Sequence, residues 1–227
     1  GRRAARPFRG HERGALGGVW SVAFSPSGDL IVSGGADGTV RLWTLDGKSA
    51  AEPFRGHKRE AYSRVWSGQN PVLFGGVLSV AFSPSGDLIA SSGADGTVRL
   101  WTLDGKAAAE PFIGHKDAVL SVAFSPSGDL IASSGADGTI RLWTLDGKAA
   151  AEPFLGHKDA VLSAAFSPSG DLIASSSADG TIRLWTLDGK AAVEPFQGHR
   201  GAVSSIAFSP SVNLIASGGE DSTIRLW

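Results

Sequence analysis

The chain has 227 residues, with 21 basic and 22 acidic side chains and a formal net charge of −1, so its overall charge does not indicate a nucleic acid or an anionic membrane as partner. Cysteine is absent, which excludes disulfides, thiol catalysis and cysteine-based zinc sites, and we predict no metal and no cofactor. No apolar run approaches the ~20 residues of a membrane-spanning helix, and the N-terminus lacks the apolar region of a signal peptide. Methionine is also absent, even at position 1, which predicts a piece or a processed form of a longer product.

The chain repeats itself with a period of 42 residues. An aspartate precedes each Thr-(Val/Ile)-Arg-Leu-Trp run, and the last three steps between these aspartates are 42 residues each, whereas the first step is 58 because 16 residues are inserted. We predict one domain, 1–227, made of five copies with approximate bounds 1–46, 47–104, 105–146, 147–188 and 189–227. The two irregular copies both lengthen the connection between a Gly-His pair and the next valine: seven residues separate His11 from Val19, and nineteen separate His57 from Val77.

Each copy predicts four short β-strands in the same order. In the third copy they are VLSVAF (119–124), LIASSG (130–135), TIRLW (139–143) and AAAEPF (149–154). The first pair is joined by the Pro/Gly turn SPSGD, and the next two turns carry Asp137-Gly138 and Asp146-Gly147, the strongest short hairpin signal. Pro153 has no N–H to give to a ladder, so the fourth strand should lie at a sheet edge. The pattern predicts an antiparallel meander without helices.

A small sheet that is apolar on both faces must stack against its neighbours, and radial stacking gives a ring of blades. The shared pattern GH…V..(V/A/I)AFSPS…LI(A/V)S…D.T(V/I)RLW resembles the WD40-repeat β-propellers over essentially the whole chain. The near-identity of the copies resembles recently amplified bacterial arrays. The resemblance implies an all-β, five-bladed WD40-type β-propeller with four antiparallel strands per blade. The chain departs from the family where an aspartate usually follows the tryptophan, because threonine stands there at Thr44, Thr102, Thr144 and Thr186.

The resemblance also implies how the ring closes. The N-terminal RRAARPF (2–8) aligns with the outer strand of the blade whose inner three strands end at Trp227, so we expect it to complete the last blade. This predicts a closed five-bladed monomer, which can be attached to a larger multidomain protein. The alternative is a segment of a longer array, and near-identical blades also make exchange between chains easy.

The five histidines each recur with a serine, an aspartate and a tryptophan at fixed spacing. By resemblance these residues form hydrogen-bonded structural tetrads that stabilise each blade. A catalytic role is not expected for them, because catalysis needs one unique centre and the set occurs in five equal copies. The predicted tetrads are His11, Ser33, Asp37 and Trp43; His57, Ser91, Asp95 and Trp101; His115, Ser133, Asp137 and Trp143; His157, Ser175, Asp179 and Trp185; His199, Ser217, Asp221 and Trp227. The segment DGKS (46–49) lacks the glycine and the helix of a phosphate-binding loop. We predict no catalytic residues and no enzyme activity.

Two sets of residues are predicted to bind a partner on the top face, where the resemblance places the connections between blades. The first set follows the first valine of each inner strand: Trp20, Leu78, Leu120, Leu162 and Ser204. The second set lies in the unique stretch 59–76: Arg59, Tyr62, Arg64, Trp66 and Phe74. Tyr, Trp and Arg are enriched at interface hot spots. Alternatively, the first set packs between blades and the aromatic residues of the insertion cover the ring.

The sequence therefore predicts a cytoplasmic scaffold or sensor module that binds a protein or peptide, with no catalysis, no nucleic acid and no membrane. One alternative is a propeller that binds several small ligands of the sugar type. The other is a repeat or engineered propeller without a natural partner.

Overall fold

The computed structural model describes residues 7–12, 18–58, 62–67 and 70–227, with side chains described outside 62–67 and 70–74. This part of the chain contains strands and turns and no helix. Its strands form five sheets of three or four strands in antiparallel, sequential order, and one additional two-stranded hairpin. The five sheets match the five predicted copies, and we call them blades 1 to 5.

The strands of each blade follow one another in the chain. Blade 1 contains β1 (Val19–Phe24), β2 (Leu30–Gly35), β3 (Thr39–Thr44) and β4 (Phe54–Arg55). The hairpin contains β5 (Tyr62–Ser67) and β6 (Asn70–Gly75). Blade 2 contains β7 (Val77–Phe82), β8 (Leu88–Gly93), β9 (Thr97–Thr102) and β10 (Phe112–Ile113). Blade 3 contains β11 (Val119–Phe124), β12 (Leu130–Gly135) and β13 (Ile140–Thr144). Blade 4 contains β14 (Val161–Phe166), β15 (Leu172–Ser177), β16 (Thr181–Thr186) and β17 (Phe196–Gln197). Blade 5 contains β18 (Val203–Phe208), β19 (Ile215–Gly219) and β20 (Ile224–Leu226).

The first three strands and their turns agree with the prediction. In blade 3 the first two strands have the predicted bounds, and the third is displaced by one residue. Gly138 and Gly147 have φ values of 77° and 82°, in the left-handed region that glycine adopts at little steric cost. The Asp-Gly signal therefore identified both tight turns.

The fourth strand is shorter than the six residues predicted. In blade 1 only Phe54 and Arg55 pair with β3, and in blade 3 the pairing is a single bridge between Ile140 and Phe154. Each of these phenylalanines follows a proline, which cannot donate a ladder hydrogen bond. The earlier part of the segment makes only an isolated bridge, such as that from Ser49 to Trp43.

The core lies between the blades rather than within them. The four contacts between consecutive blades each hold one apolar cluster, and we call each such contact a seam. In the seam between blades 3 and 4, Ile140 and Leu142 pack in one cluster with Val161, Ile173 and Trp185. A blade therefore depends on its neighbours for burial of both of its faces, as expected for stacked repeats.

The predicted closing strand falls mostly outside the described residues, since residues 1–6 are not described. Pro7 and Phe8 are described and belong to no strand. The Phe8 ring lies 5.8 Å from the Trp43 ring, centroid to centroid, the same distance that separates Phe54 from Trp101. The pairing of this segment with β20 stays a prediction.

Candidate functional site

The candidate site is the end of the blades at which the inner strands begin, which we call the top face. Val77, the first residue of β7, pairs with Gly93 at the end of β8, so the turn between the second and third strands lies at this end. The connection that enters each blade arrives at the same end. The top face of each blade therefore carries a turn and an entering connection side by side.

The tetrads join these two parts, and the structure brings all four predicted members together in each of the five blades. The distance from His Nδ1 to the nearer Asp oxygen is 3.0–3.1 Å. The distance from His Nε2 to Ser Oγ is 2.7–2.8 Å. The Trp Nε1–H donates to the same Ser Oγ at 2.8 Å. Each tetrad thus links the entering connection to the turn and to two strands.

One proton arrangement satisfies every member of a tetrad. The Ser133 hydroxyl accepts from the Trp143 Nε1–H and retains a hydrogen that it can donate to Nε2 of His115, while Nδ1 of His115 lies within hydrogen-bond distance of the Asp137 carboxylate. Burial alone raises the pKa of Asp137, but hydrogen bonds, led by that from His115, outweigh it and hold the pKa well below its usual range. The aspartate is therefore ionised at neutral pH and accepts these bonds as a carboxylate.

The sequence reading missed a fifth member of the network. In blade 3 the Thr139 hydroxyl donates to Asp137 Oδ1 at 2.8 Å, and the Thr139 backbone N–H donates to the same oxygen at 3.1 Å. Equivalent hydroxyl bonds occur in the other four blades. A threonine two residues after the aspartate in every copy was the signal that could have identified it.

The unique insertion is anchored at both of its ends to one turn of blade 2. Before it, His57 Nδ1 lies 3.0 Å from Asp95 Oδ1, and the Lys58 N–H donates to Asp95 Oδ2 at 3.0 Å. After it, the Gly76 carbonyl accepts from the Ala94 N–H at 2.9 Å. In blade 3 the corresponding anchor residues, Lys116 and Ala118, are separated by one residue. The insertion therefore replaces a single residue between two fixed points.

The insertion also contacts blade 1. The Trp20 Nε1–H donates to the Gly75 carbonyl at 3.0 Å, which joins the start of β1 to the end of β6. Gly76 has a φ of 75°, and a Cβ atom there would lie 2.4 Å from the Gly35 carbonyl oxygen. The backbone of the insertion thus passes directly over the turn of blade 1, where only glycine fits.

The described backbone of the insertion is a β-hairpin, whereas the sequence reading treated it as a loop. Tyr62, Arg64 and Trp66 occupy alternate positions of β5, and such positions belong to one face of a strand. Phe74 is paired with Ser63 and belongs to the other face. Arg59 and all but Gly18 of the shorter insertion RGALGG (13–18) lie outside the described residues. The sequence signal for the hairpin was two segments rich in β-branched and aromatic residues, YSRVWS and NPVLFG, separated by the two residues Gly-Gln.

The predicted residues of the inner strands differ in exposure. Leu78 is only 8% exposed and packs in a small cluster with Ala94 and Ala118, against which Leu120 is partly buried. Trp20 and Ser204 are exposed, and Leu120 and Leu162 are half-buried. The structure thus places Leu78 between blades and leaves the other four accessible in different degrees.

An apolar cavity lies at the end of the blades opposite the top face, where the inner strands end. A cavity of about 590 Å³ is lined by the Ala-Phe-Ser-Pro segments of all five blades, including Phe24, Phe124 and Phe208. Within the described part of the chain, no His, Asp and Glu side chains are grouped in threes as a metal site would require. The described residues include no helix long and apolar enough to cross a membrane.

Comparison with known proteins agrees with this architecture. The chain is 37% identical over 106 residues to cilia- and flagella-associated protein 43 of Chlamydomonas reinhardtii, a match that covers 47% of this chain and 6% of that protein. It is 32% identical over 105 residues to the human F-box-like/WD repeat-containing protein TBL1X, covering 46% of this chain and 17% of that protein. It is 37% identical over 97 residues to protein hir1 of Schizosaccharomyces pombe, a match that covers 42% of this chain and 10% of that protein.

The match to these relatives therefore spans less than a fifth of their length. They are eukaryotic, so the resemblance to bacterial arrays stays a prediction. The family model "WD domain, G-beta repeat" matches residues 3–44, 52–102, 108–144, 151–186 and 191–227, one match for each blade. With five matched repeats, five sheets in sequential order and a complete tetrad in every blade, the chain belongs to the WD40 family.

Proposed function

We propose that this chain is a protein-interaction scaffold whose top face binds a protein or peptide partner through the hairpin β5–β6 and the neighbouring exposed residues of the inner strands. Membership of the WD40 family supports the interaction role. The proposed location of the binding surface rests on one observation. Both ends of the insertion are hydrogen-bonded to the turn of blade 2, and the Gly75 carbonyl accepts a hydrogen bond from Trp20 of blade 1.

The anchoring matters because a fixed hairpin loses less conformational entropy on binding than a loose loop of the same length. The hairpin also supplies the residue types that dominate interface energetics: Tyr62, Arg64 and Trp66 share one face of β5. The regular connections that enter blades 3, 4 and 5 carry no insertion. The hairpin therefore distinguishes one sector of a nearly five-fold surface, and a partner that requires a single orientation needs such a distinction.

A non-catalytic role is supported by the tetrads. Both ring nitrogens of each histidine are engaged, one by an aspartate and the other by a serine, so the imidazole has no nitrogen left for a substrate. The same arrangement recurs in all five blades, whereas catalysis requires one asymmetric set of groups. A cytoplasmic location is part of the same proposal.

The test compares capture by the intact chain with capture by a variant in which residues 59–76 are replaced by Asp-Ala, so that blade 2 has the regular connection of blade 3. The matched control is Ile113→Ala, a residue of β10 that is 78% exposed and lies on an outer strand. Proteins captured from lysate of the source cells are identified by mass spectrometry. The strongest is then purified and titrated by calorimetry against all three chains.

We expect one partner per chain, unchanged affinity for Ile113→Ala, and affinity lowered about 100-fold or more for the shortened chain, because it loses the central anchors of the interface. Equal affinity of the intact and shortened chains would refute the hairpin as the recognition element. Failure of the intact chain to retain any protein would refute the scaffold itself. Saturation by several sugar molecules per chain would favour the small-ligand alternative.

A further inference from the structure

The end of the blades opposite the top face, which we call the bottom face, carries one tight turn from each blade. In blades 1 to 4 this turn has the sequence Ser-Pro-Ser-Gly-Asp and joins the first strand to the second. In blade 2 the buried Ser83 hydroxyl accepts from the Leu88 N–H at 3.0 Å and donates to Asp87 Oδ1 at 3.0 Å. The Ser83 N–H also donates to the Leu88 carbonyl at 2.9 Å. The turn and its aspartate are therefore held in place by hydrogen bonds.

These turns also pack against one another. A Cβ atom on Gly86 of blade 2 would lie 3.4 Å from Pro26 of blade 1, and one on Gly128 of blade 3 would lie 3.4 Å from Pro84 of blade 2. The turn of blade 4 approaches that of blade 3 in the same way. We call these four turns, 25–29, 83–87, 125–129 and 167–171, the collar. Because its turns support one another, a ligand that binds the collar does not have to order it.

The collar borders the apolar cavity of about 590 Å³ that all five blades line. The rings of Phe82 and Phe124 line this cavity and are partly buried in the seams, so their positions are fixed by the core. The volume lies within the range of about 300–1,000 Å³ that is typical of ligand sites. The cavity is therefore large enough for a bulky apolar group.

The collar places carboxylates beside this cavity. Ser83 and Ser125 line the cavity, and their hydroxyls donate to Asp87 at 3.0 Å and to Asp129 at 3.1 Å. Hydrogen bonds from Ser85 and Ser83 lower the pKa of Asp87 below its ordinary value, so this carboxylate is ionised at neutral pH. The aspartate at this position is exposed in every turn of the collar: Asp29, Asp87, Asp129 and Asp171.

The charge of these carboxylates is not balanced by the lysines of the bottom face. Lys106 Nζ lies 2.7 Å from Asp104 Oδ2, and blades 1, 3 and 4 contain the same pair in the turn that follows the third strand. In the part of the chain that the structure describes, no lysine or arginine forms an ion pair with a collar aspartate. The cavity therefore has four uncompensated negative charges at its border.

We propose that the cavity binds a basic peptide segment, in which one bulky apolar side chain enters the cavity and flanking lysine or arginine side chains meet the collar carboxylates. An uncharged apolar ligand would fill the cavity but leave the negative charges without a partner, and a chain of cations alone would leave the cavity unused. A small organic cation with one charge would reach one carboxylate, whereas the collar presents carboxylates on four blades. A peptide with several cations matches both features, and this surface is separate from the one proposed on the top face.

The first test uses three peptides, each acetylated and amidated, and isothermal titration calorimetry. The probe is Arg-Lys-Phe-Lys-Arg; one matched peptide has glycine in place of phenylalanine, and the other has glutamine in place of all four cations. We expect one probe to bind per chain, with an affinity that falls as salt is raised because the carboxylates are exposed. Both matched peptides should bind at least about 10-fold more weakly, since each lacks one of the two contacts.

Each contrary result has a definite meaning. Equal binding of the glycine peptide would overturn the role of the cavity, and equal binding of the glutamine peptide would overturn the role of the collar in favour of an uncharged apolar ligand. A probe that does not bind at millimolar concentration would overturn the whole proposal. None of these results bears on the top face, because the hairpin β5–β6 is not altered.

The second test locates the binding by moving charge on the protein. Replacing all four collar aspartates with asparagine should weaken probe binding about 10-fold or more. The matched control changes the net charge equally by replacing four exposed glutamates that precede the outer strands with glutamine, and it should bind within about 2-fold of the wild type. The glutamates are Glu52, Glu110, Glu152 and Glu194.

Blade 5 offers the reverse experiment, because exposed Asn213 stands where the other blades have the collar aspartate. Asn213→Asp should tighten probe binding by up to about 5-fold, and the single change Asp87→Asn should weaken it by a similar factor. These two variants keep the test valid if the fourfold variant is unstable, and urea unfolding establishes that each variant is folded. Equal losses in the collar and glutamate variants, or no response to both single changes, would overturn the proposed site.

Discussion

Two adjacent serines of β12 should respond in opposite ways to the same substitution. Ser133 and Ser134 are both fully buried, but only Ser133 belongs to a tetrad. Replacing Ser133 with alanine removes the atom that accepts from Trp143 at 2.8 Å and contacts His115 Nε2 at 2.7 Å. Two buried polar groups then have no partner, and at about 1–3 kcal/mol for each group we expect the free energy of unfolding to fall by about 2–6 kcal/mol.

The matched control is Ser134→Ala. The Ser134 hydroxyl is buried without a hydrogen-bond partner, so removing it relieves a desolvation cost, and we expect stability to be unchanged or to rise by up to about 1 kcal/mol. The measurement is the free energy of unfolding in urea, with the m-value checked for each variant. In thermal unfolding Ser133→Ala should lower the Tm by roughly 4–24 °C, since 1 kcal/mol corresponds to roughly 2–4 °C for a domain of this size.

Equal effects of the two substitutions would refute the reasoning, because burial alone would then account for both. A larger loss for Ser134→Ala would refute it as well, since the cost would follow packing and not the hydrogen bonds. The serine at the next seam provides a replicate: Ser176 is also buried without a hydrogen-bond partner and should behave like Ser134.

Two further predictions follow from the site. The pKa of Asp137 is lowered from its ordinary value of 3.8, so the stability that it contributes is fully present above that value and is lost as the pH falls through the lower pKa of the folded state. The difference in urea midpoint between the wild type and Asp137→Asn should therefore stay level from pH 7 to about 4 and shrink below that. Gly76→Ala should lower the free energy of unfolding by about 1–3 kcal/mol, because φ is positive and the new Cβ would meet the Gly35 carbonyl oxygen. The control Gly218→Ala, whose Cβ would have nothing within 4 Å, should lie within about 0.5 kcal/mol of the wild type. Comparable losses in both variants would contradict the close approach at Gly76.

The sequence by itself determined the repeat, the first three strands of each blade, their turns and the four named tetrad members. These features are local or recur at a constant period, so aligning the five copies was enough to find them. The family resemblance supplied the pairing of histidine with aspartate and serine, and the structure shows that geometry in every blade. The tetrad threonine was equally periodic and could have been predicted from the same alignment.

Only the tertiary structure decided the features that depend on neighbours in space. The insertion occurs once, so no copy could indicate that its two ends are held by Asp95 and Ala94. Nor could a copy indicate that Gly75 accepts a hydrogen bond from Trp20, which lies 55 residues earlier in the chain. Ile140 and Ile224 show the same limit, because they occupy equivalent positions of the repeat but are 0% and 81% exposed. Burial of a blade face is set by whatever packs against it in space, and the repeat by itself does not indicate that.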